Sequence, residues 1–339
     1  MKEVQRGEDL IDIVPGIYQL KVPIPGNPLG HLNCYIINGK KGWLMIDTGW
    51  FTPDAFESLE AGLRTIGLEM TNIATIIVTH VHPDHFGLAG RIKQVSPGTE
   101  LLAHQWETDL IEPRYIKISE LMEKMSVMLH RHGVPPLDLG KLGSASMPAL
   151  QFVTVTFPDR VLYGGEIIST GVYDLEVIWT PGHSPGHICL YEPDNQLLFS
   201  GDHILPSISP NISYHVQSGD NPLGDYINAL HKLENLPVAQ ILPAHEQRFF
   251  DLKGKIKQIF DHHDKRKMEI REAITKGHHN AYDISSQITW DVRNLTWDQF
   301  PPLHKRIAVT ETIAHLECLR WEGKVMRKIK NGSVSYYAL

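Results

Sequence analysis

The sequence predicts an α+β fold: an αββα sandwich followed by a smaller domain of three helices and a β-hairpin. Three observations predict it. Short, β-branched apolar runs ended by turn residues recur through the first 250 or so residues. Segments of helical period lie between them and supply helices to cover the outer sheet faces. Beyond about residue 253 the pattern changes to helices and the charge balance reverses. The 339 residues suffice for two domains, drawn here as 1–253 and 254–339. With 42% hydrophobic and 21% charged residues, the chain has the material for a real core.

Residues 16–22 and 34–38 read as strands, and Asn38-Gly39-Lys40-Lys41-Gly42 turns the second into a strand over 43–46. Phe56, Leu59, Leu63 and Ile66 share one face of a helix over 54–67. Residues 73–78 form a buried strand, and further strands fall at 161–163, 174–179, 188–191 and 197–200. A helix opens at Pro222 and runs to about Leu233. Antiparallel sheets are expected first, with helices on their outer faces. Residues 105–150 exceed a minimal sandwich. Ile116, Leu121, Met122, Met125, Met128 and Leu129 give one or two helices with an apolar, Met-rich face. This stretch lies between two His-bearing segments, so it is read as an insertion that covers or borders a site. Flexible Met side chains there suit an adaptable acyl or hydrophobic group.

The first His-bearing segment is Thr79-His80-Val81-His82-Pro83-Asp84-His85, directly after the 73–78 strand. It holds four metal-capable side chains within six residues. Imidazole and carboxylate suit Zn²⁺ and comparable divalent ions. His80 and His82, at i and i+2, can point to one side of a strand end, while Asp84 and His85 reach a second position. One loop can thus serve two metals, as two-metal hydrolytic sites require. Further candidates follow strand-like runs. Asp47 precedes a Thr-Gly turn pair, His183 sits between Gly182 and Pro185, and Asp202 follows 197–200. His245 follows Ile241-Leu242-Pro243-Ala244. His203 is a candidate for the site rim. His187 reads as structural, and His104, His130, His132, His262, His263, His278 and His279 have no ligand context.

His-x-His-x-Asp-His after an apolar strand resembles the signature of the metallo-β-lactamase superfamily. Four more motifs resemble that pattern in order: Leu44-Met45-Ile46-Asp47-Thr48-Gly49, Thr180-Pro181-Gly182-His183, Leu197-Leu198-Phe199-Ser200-Gly201-Asp202 and Ile241-Leu242-Pro243-Ala244-His245. The last has Ala244 where Gly is more usual. The resemblance spans about residues 15 to 250. It implies that His80, His82 and His183 hold one metal, that Asp84, His85 and His245 hold the other, and that Asp202 bridges them. Asp47 then braces the His loop, and the metals lie at one edge of the sandwich. A metal-activated water attacks an ester, thioester, lactone or phosphoester, with Asp84 as the catalytic residue that orients the water or moves its proton. Two divalent ions are implied, zinc by default, with iron or manganese as alternatives.

Departures narrow this resemblance. Flavodiiron oxygen reductases carry Glu where His82 stands. Zinc-β-lactamases with a Cys ligand carry it where Asp202 stands, which argues against antibiotic hydrolysis. Many nucleic-acid-processing relatives insert a large domain before the last His, whereas 43 positions separate Asp202 from His245 here. Glyoxalase II matches all seven ligands, but its helical, glutathione-binding C-terminal region does not resemble this tail.

Residues 254–339 hold 15 Lys+Arg against 10 Asp+Glu, a net +5 beside the whole-chain −7, so residues 1–253 carry −12. Ile256, Ile259, Phe260, Ile270 and Ile274 mark a first helix, 283–288 begins a second, and Val309, Ile313 and Leu316 mark a third within 304–322. Residues 323–330 pair with 333–337 across Asn331-Gly332, a strong hairpin turn. The tail resembles a winged helix, as found in a subgroup of this superfamily that includes the β-lactamase-like protein 2 group. A surplus of five charges is modest for nucleic-acid binding. Packing against the acidic domain, or a homodimer contact, is therefore expected ahead of an RNA or DNA platform with endonuclease activity. A small-molecule substrate is the expected partner. Residues 1–9 lack an apolar signal segment, no run approaches a membrane span, and Cys34, Cys189 and Cys318 read as reduced, mostly buried thiols, which points to the cytoplasm.

Overall fold

The computed structural model describes residues 10–292 and 295–339, so the charged segment 1–9 lies outside the described residues. The first sheet holds seven strands in chain order: β1 (Leu10–Val14), β2 (Ile17–Pro23), β3 (His31–Ile37), β4 (Trp43–Ile46), β5 (Ile73–Ile77), β6 (Glu100–His104) and β7 (Arg160–Leu162). The second holds β8 (Ile167–Ser169), β9 (Asp174–Trp179), β10 (Ile188–Glu192), β11 (Leu197–Gly201) and β12 (Gln240–Pro243), in the order β12-β11-β10-β9-β8. Tyr35, Ile46, Ile77, Val177, Leu190, Phe199 and Leu242 fill the space between the sheets. Helices lie on the outer faces, which gives the αββα sandwich.

In the first sheet antiparallel pairing runs from β1 to β4, and in the second it runs from β8 to β11. From β4 to β7 every pair is parallel, as is β11–β12. Antiparallel strands come first, as expected, and parallel pairs follow them in each sheet. Parallel neighbours need a crossover, and α1 (Pro53–Thr65), α2 (Pro83–Phe86) and α3 (Ala89–Val95) supply the first two. Thr52 caps α1 by accepting the Ala55 N–H at 3.2 Å, with Pro53 in the first turn. Leu59, Leu63 and Ile92 of these helices pack on Leu20, Met45 and Ile76 of the first sheet.

The insertion carries α4 (Gln105–Ile111), α5 (Ile118–Arg131), α6 (Pro136–Gly143) and α7 (Met147–Leu150). A single π-helical turn, Glu112–Ile116, joins α4 to α5. Pro113 has no N–H for a regular α-helical bond, which loosens the helix there. Beyond β11, α8 (Pro222–Leu233) covers the second sheet. The long α9 (Leu252–Thr275) starts on that same face through Leu252, Ile256 and Ile259, then carries Ile270 and Ile274 into another apolar cluster.

That cluster also takes residues from α10 (Ala281–Ser285), α11 (Pro302–Trp321), β13 (Val325–Lys330) and β14 (Ser333–Ala338). Asn331 and Gly332 both take positive φ, at 50° and 82°, and the register pairs Lys330 with Ser333. This is the tight turn the Asn-Gly pair predicts. Met128, Leu129, Val134 and Leu142 of the insertion are buried in the same cluster as Val309, Ile313 and Leu316. Insertion and tail therefore share one core. Among the described residues no helix is long and apolar enough to cross a membrane, and all three cysteines are buried and unpaired.

Candidate metal centre

Parallel pairing puts the C-terminal ends of β4 and β5 on one edge, and those of β11 and β12 likewise. Asp47 follows β4, the His80–His85 run follows β5, Asp202 follows β11 and His245 follows β12 shortly after. The loop between β9 and β10 brings His183 to them. Its path passes tightly by Tyr226: Gly182 has φ 138°, and a Cβ there would stand 2.4 Å from the Tyr226 Cβ. Only glycine tolerates that geometry.

Seven side chains converge on this edge. Nε2 of His80 lies 2.8 Å from Nδ1 of His82, and Nε2 of His183 lies 3.0 Å from the same atom. On the other side, Oδ2 of Asp84 lies 3.3 Å from Nε2 of His245 and 3.8 Å from Nε2 of His85. Asp202 faces both sides. Its Oδ2 is 3.5 Å from His183 Nε2, while Oδ1 is 3.5 Å from His85 Nε2 and 3.4 Å from His245 Nε2. Ligand atoms of His80, His82 and His183 lie within 4.8 Å of one another, as do those of Asp84, His85 and His245.

The donor set fits a divalent metal pair. Nε2 of His85, Nε2 of His245 and Oδ1 of Asp202 are buried with no hydrogen-bond partner. Each such atom costs about 1–3 kcal/mol unless something else satisfies it. Bonds of ~2.0–2.1 Å in a tetrahedral shell set ligand atoms ~3.3 Å apart, close to the spacings seen here. The free nitrogens are also aimed. His245 Nδ1 bonds the His31 carbonyl at 3.0 Å and His183 Nδ1 bonds the Asn211 carbonyl at 2.9 Å, which turns each Nε2 inward.

Asp47 lies against the His loop. In a left-handed backbone conformation (φ 57°), it accepts the Thr79 N–H at 2.8 Å, the Thr79 hydroxyl at 2.8 Å and His85 Nδ1 at 2.7 Å. His187 is structural: it bonds the Thr180 hydroxyl at 2.9 Å through Nδ1 and accepts the Asp202 N–H at 3.1 Å through Nε2. His203 is fully buried between His187 and Tyr226, behind the site rather than on an open rim.

Charge is distributed to match. Burial, reinforced by the neighbouring imidazoles, holds His80 and His82 well below the usual histidine range. Burial also opposes charge on His85, but the carboxylates of Asp47, Asp202 and Asp84 outweigh it and push this group up. His245 is raised against burial by Asp202 and Asp84. Burial raises Asp202, yet His245 and His85 outweigh that and hold its carboxyl well below the ordinary range. Asp84 is lowered against burial by His85 and His245.

Several residues at this site carry no sequence signal. Glu107, on α4, is fully buried and ties the two His loops together. It accepts the Val81 N–H at 2.8 Å, the Gly186 N–H at 2.9 Å and the Ser184 hydroxyl. A cavity of about 210 Å³ opens beside His82 and His183. Leu121, Met122 and Met125 of α5 form an apolar part of its lining, and Arg114 and Arg306 also line it. The Met-rich stripe therefore divides: one part borders the cavity, while Met128 and Leu129 enter the core shared with the tail.

Known proteins resemble this chain in sequence and in fold. The probable metallo-hydrolase YqjP of Bacillus subtilis (strain 168) is 24% identical over 325 residues, covering 91% of this chain and 96% of YqjP. The acyl-coenzyme A thioesterase MBLAC2 of Bos taurus is 27% identical over 230 residues, covering 64% and 74%. The crystal structure of the metallo-beta-lactamase family protein TTHA1429 from Thermus thermophilus superposes with a TM-score of 0.80 at 27% identity, covering 97% of this chain and all of that one. The profile of the metallo-beta-lactamase superfamily matches residues 28–245, from the approach to β3 through the last histidine of the cluster. With that span and the strand-end cluster in agreement, the chain belongs to the metallo-β-lactamase superfamily.

Proposed function

We propose that this protein is a metal-dependent hydrolase of a small thioester or related ester or lactone. His80, His82 and His183 hold one divalent ion, Asp84, His85 and His245 hold a second, and Asp202 lies between them. Zinc suits this nitrogen and oxygen set, as do iron and manganese. Such ions lower the pKa of water and polarise a carbonyl. The protein's own groups do the rest. Asp84 stays ionised and partly open at the site, where its carboxylate orients the water and takes its proton. Asp47 and Glu107 fix the two His loops, so little reorganisation accompanies reaction. Residues 1–253 act as the catalytic unit, and 254–339 shape the cavity wall by packing in a cytoplasmic protein.

The observation that carries the reading is the cavity beside His82 and His183, with its methionine and leucine lining. An acyl chain matches that surface better than a polynucleotide does. MBLAC2, a relative over 64% of this chain, bears the name of an acyl-coenzyme A thioesterase. The test is a panel of thioesters, esters, lactones, β-lactams, phosphodiesters and short RNAs offered to metal-loaded protein. Thioester turnover that chelation abolishes is expected. Efficient RNA cleavage with every acyl substrate inert overturns the reading.

A further inference from the structure

We propose that Arg114 and Arg306 recognise a carboxylate at the far end of a short acyl group, making the preferred substrate a monothioester or monoester of a small dicarboxylic acid. The inference rests on the acyl-hydrolase reading of the site. Arg114 sits on the π-helical turn Glu112–Ile116, and Arg306 lies near the start of α11. Both line the cavity, together with His215. No Asp or Glu occurs among the described residues that line it. Among the described residues neither arginine is in an ion pair. Arg114 has a buried Nη1 with no hydrogen-bond partner. Arg306 gives its Nη1 to the Ser146 hydroxyl at 3.1 Å and to the Gly143 carbonyl at 3.4 Å, both neutral acceptors.

Two half-buried guanidinium groups beside one cavity without a counter-ion are costly. A bound anion removes that cost, and the guanidinium fork matches a carboxylate in two-point geometry. His215 does not compete as a third cation. Burial, with Arg114 and Arg306 adding to it, pushes it down to about 3, so it faces the ligand as a neutral imidazole. Methionine and leucine occupy other parts of the lining, which suits a substrate with an apolar segment and one charged end. Size selects the source of the anion. A cavity of about 210 Å³ falls below the ~300–1,000 Å³ of pockets that bury drug-sized ligands. It admits a short acyl group, whereas the nucleotide of a coenzyme A leaving group is too large and remains outside.

The experiment compares butyryl and glutaryl thioesters, each on uncharged N-acetylcysteamine and on coenzyme A, with metal-loaded protein. Charge-assisted hydrogen bonds of about 1.5–3 kcal/mol correspond to a glutaryl preference in kcat/KM of roughly tenfold or more, the same on either thiol. Binding of free glutarate and butyrate, followed by calorimetry, gives a readout independent of turnover. Both acids offer one carboxylate to the metals, and only glutarate offers a second. The glutarate-to-butyrate affinity ratio should exceed about tenfold and fall toward one in Arg114→Gln and Arg306→Gln. Equal handling of glutaryl and butyryl groups by the wild-type protein overturns the proposal. So does a preference set by coenzyme A whatever the acyl group, which assigns the arginines to leaving-group phosphates. A ratio that survives in both folded variants overturns it as well. Failure to hydrolyse any thioester, with the arginine-dependent glutarate preference intact, removes the acyl-hydrolase reading alone.

Discussion

Glu107 and Gly186 stand 79 positions apart, and the Glu107 Oε1 accepts the Gly186 N–H at 2.9 Å. The other oxygen takes the Val81 N–H, so one carboxylate fixes both His loops. A glutamine cannot accept at both positions. Glu107→Gln should weaken metal binding ~10–100-fold, the usual effect of losing a ligand's support, with the circular dichroism of the fold retained. Competition with a chromophoric chelator measures it. Unchanged affinity would show that the loops hold their places without this group.

Asp202 is within reach of both halves of the cluster. About two divalent ions per fully loaded chain are expected, as two-metal hydrolytic sites require. Asp202→Ala should lower occupancy at both positions, read by metal analysis of the purified protein. A well-loaded sample holding one ion per chain, indifferent to this substitution, contradicts the dinuclear reading.

His132 gives a pH dependence of stability. Burial, with Arg131 and Arg327 adding to it, pushes its folded-state value down from 6.5 to about 4. Between those values the unfolded chain binds the proton and the folded chain does not. Stability therefore falls as pH drops from about 6.5 toward about 4, with a slope from this group of up to ~1.4 kcal/mol per pH unit. His132→Leu should flatten the curve by up to that slope. Urea unfolding across this pH range checks it, and an unchanged slope counts against a neutral buried imidazole.

The hairpin separates structural charge from surface charge. Glu317 is buried and receives Arg327 at 3.0 Å, Arg320 at 2.6 Å and the Tyr336 hydroxyl at 2.6 Å. Arg327→Ala should destabilise the chain by about 1–3 kcal/mol, since a buried acceptor loses a charged partner. Lys324→Ala, Lys328→Ala and Lys330→Ala should each stay within ~0.5 kcal/mol. Labelled oligonucleotides should show no tight binding at low salt. Tight, salt-sensitive binding that those lysine changes abolish would instead make the hairpin a phosphate-contacting wing.

The His and Asp cluster was legible because its members sit in strand-end motifs. Each motif combines an apolar run, a turn and a liganding side chain, all local in sequence. The principal strands, α1, α8 and the tail helices were legible for the same reason. β6 was not, since Glu100-Leu101-Leu102-Ala103-His104 has no β-branched residue and owes its conformation to β5 and β7 on either side. β8 spans three residues, too few for a period to show. Parallel pairing beyond β4 was missed because strand direction depends on crossovers, not on composition. Glu107, Arg114 and Arg306 stayed silent for a different reason. Each takes its place only through contacts with distant parts of the chain, and one surface-type residue on a helix resembles any other until the chain has folded.

The common core of insertion and tail bears on how reactivity and choice are built into this chain. The seven clustered side chains are gathered at strand ends of the sandwich, with Glu107 of the insertion tying two of their loops. The wall facing them joins Arg114 to Arg306 across nearly two hundred residues, and it is held by Met128, Leu129, Ile313 and Leu316 in one cluster. The tail contributes to this wall, and none of the seven clustered side chains lies in the tail. Disturbing the tail should therefore blur discrimination among substrates before it silences the chemistry.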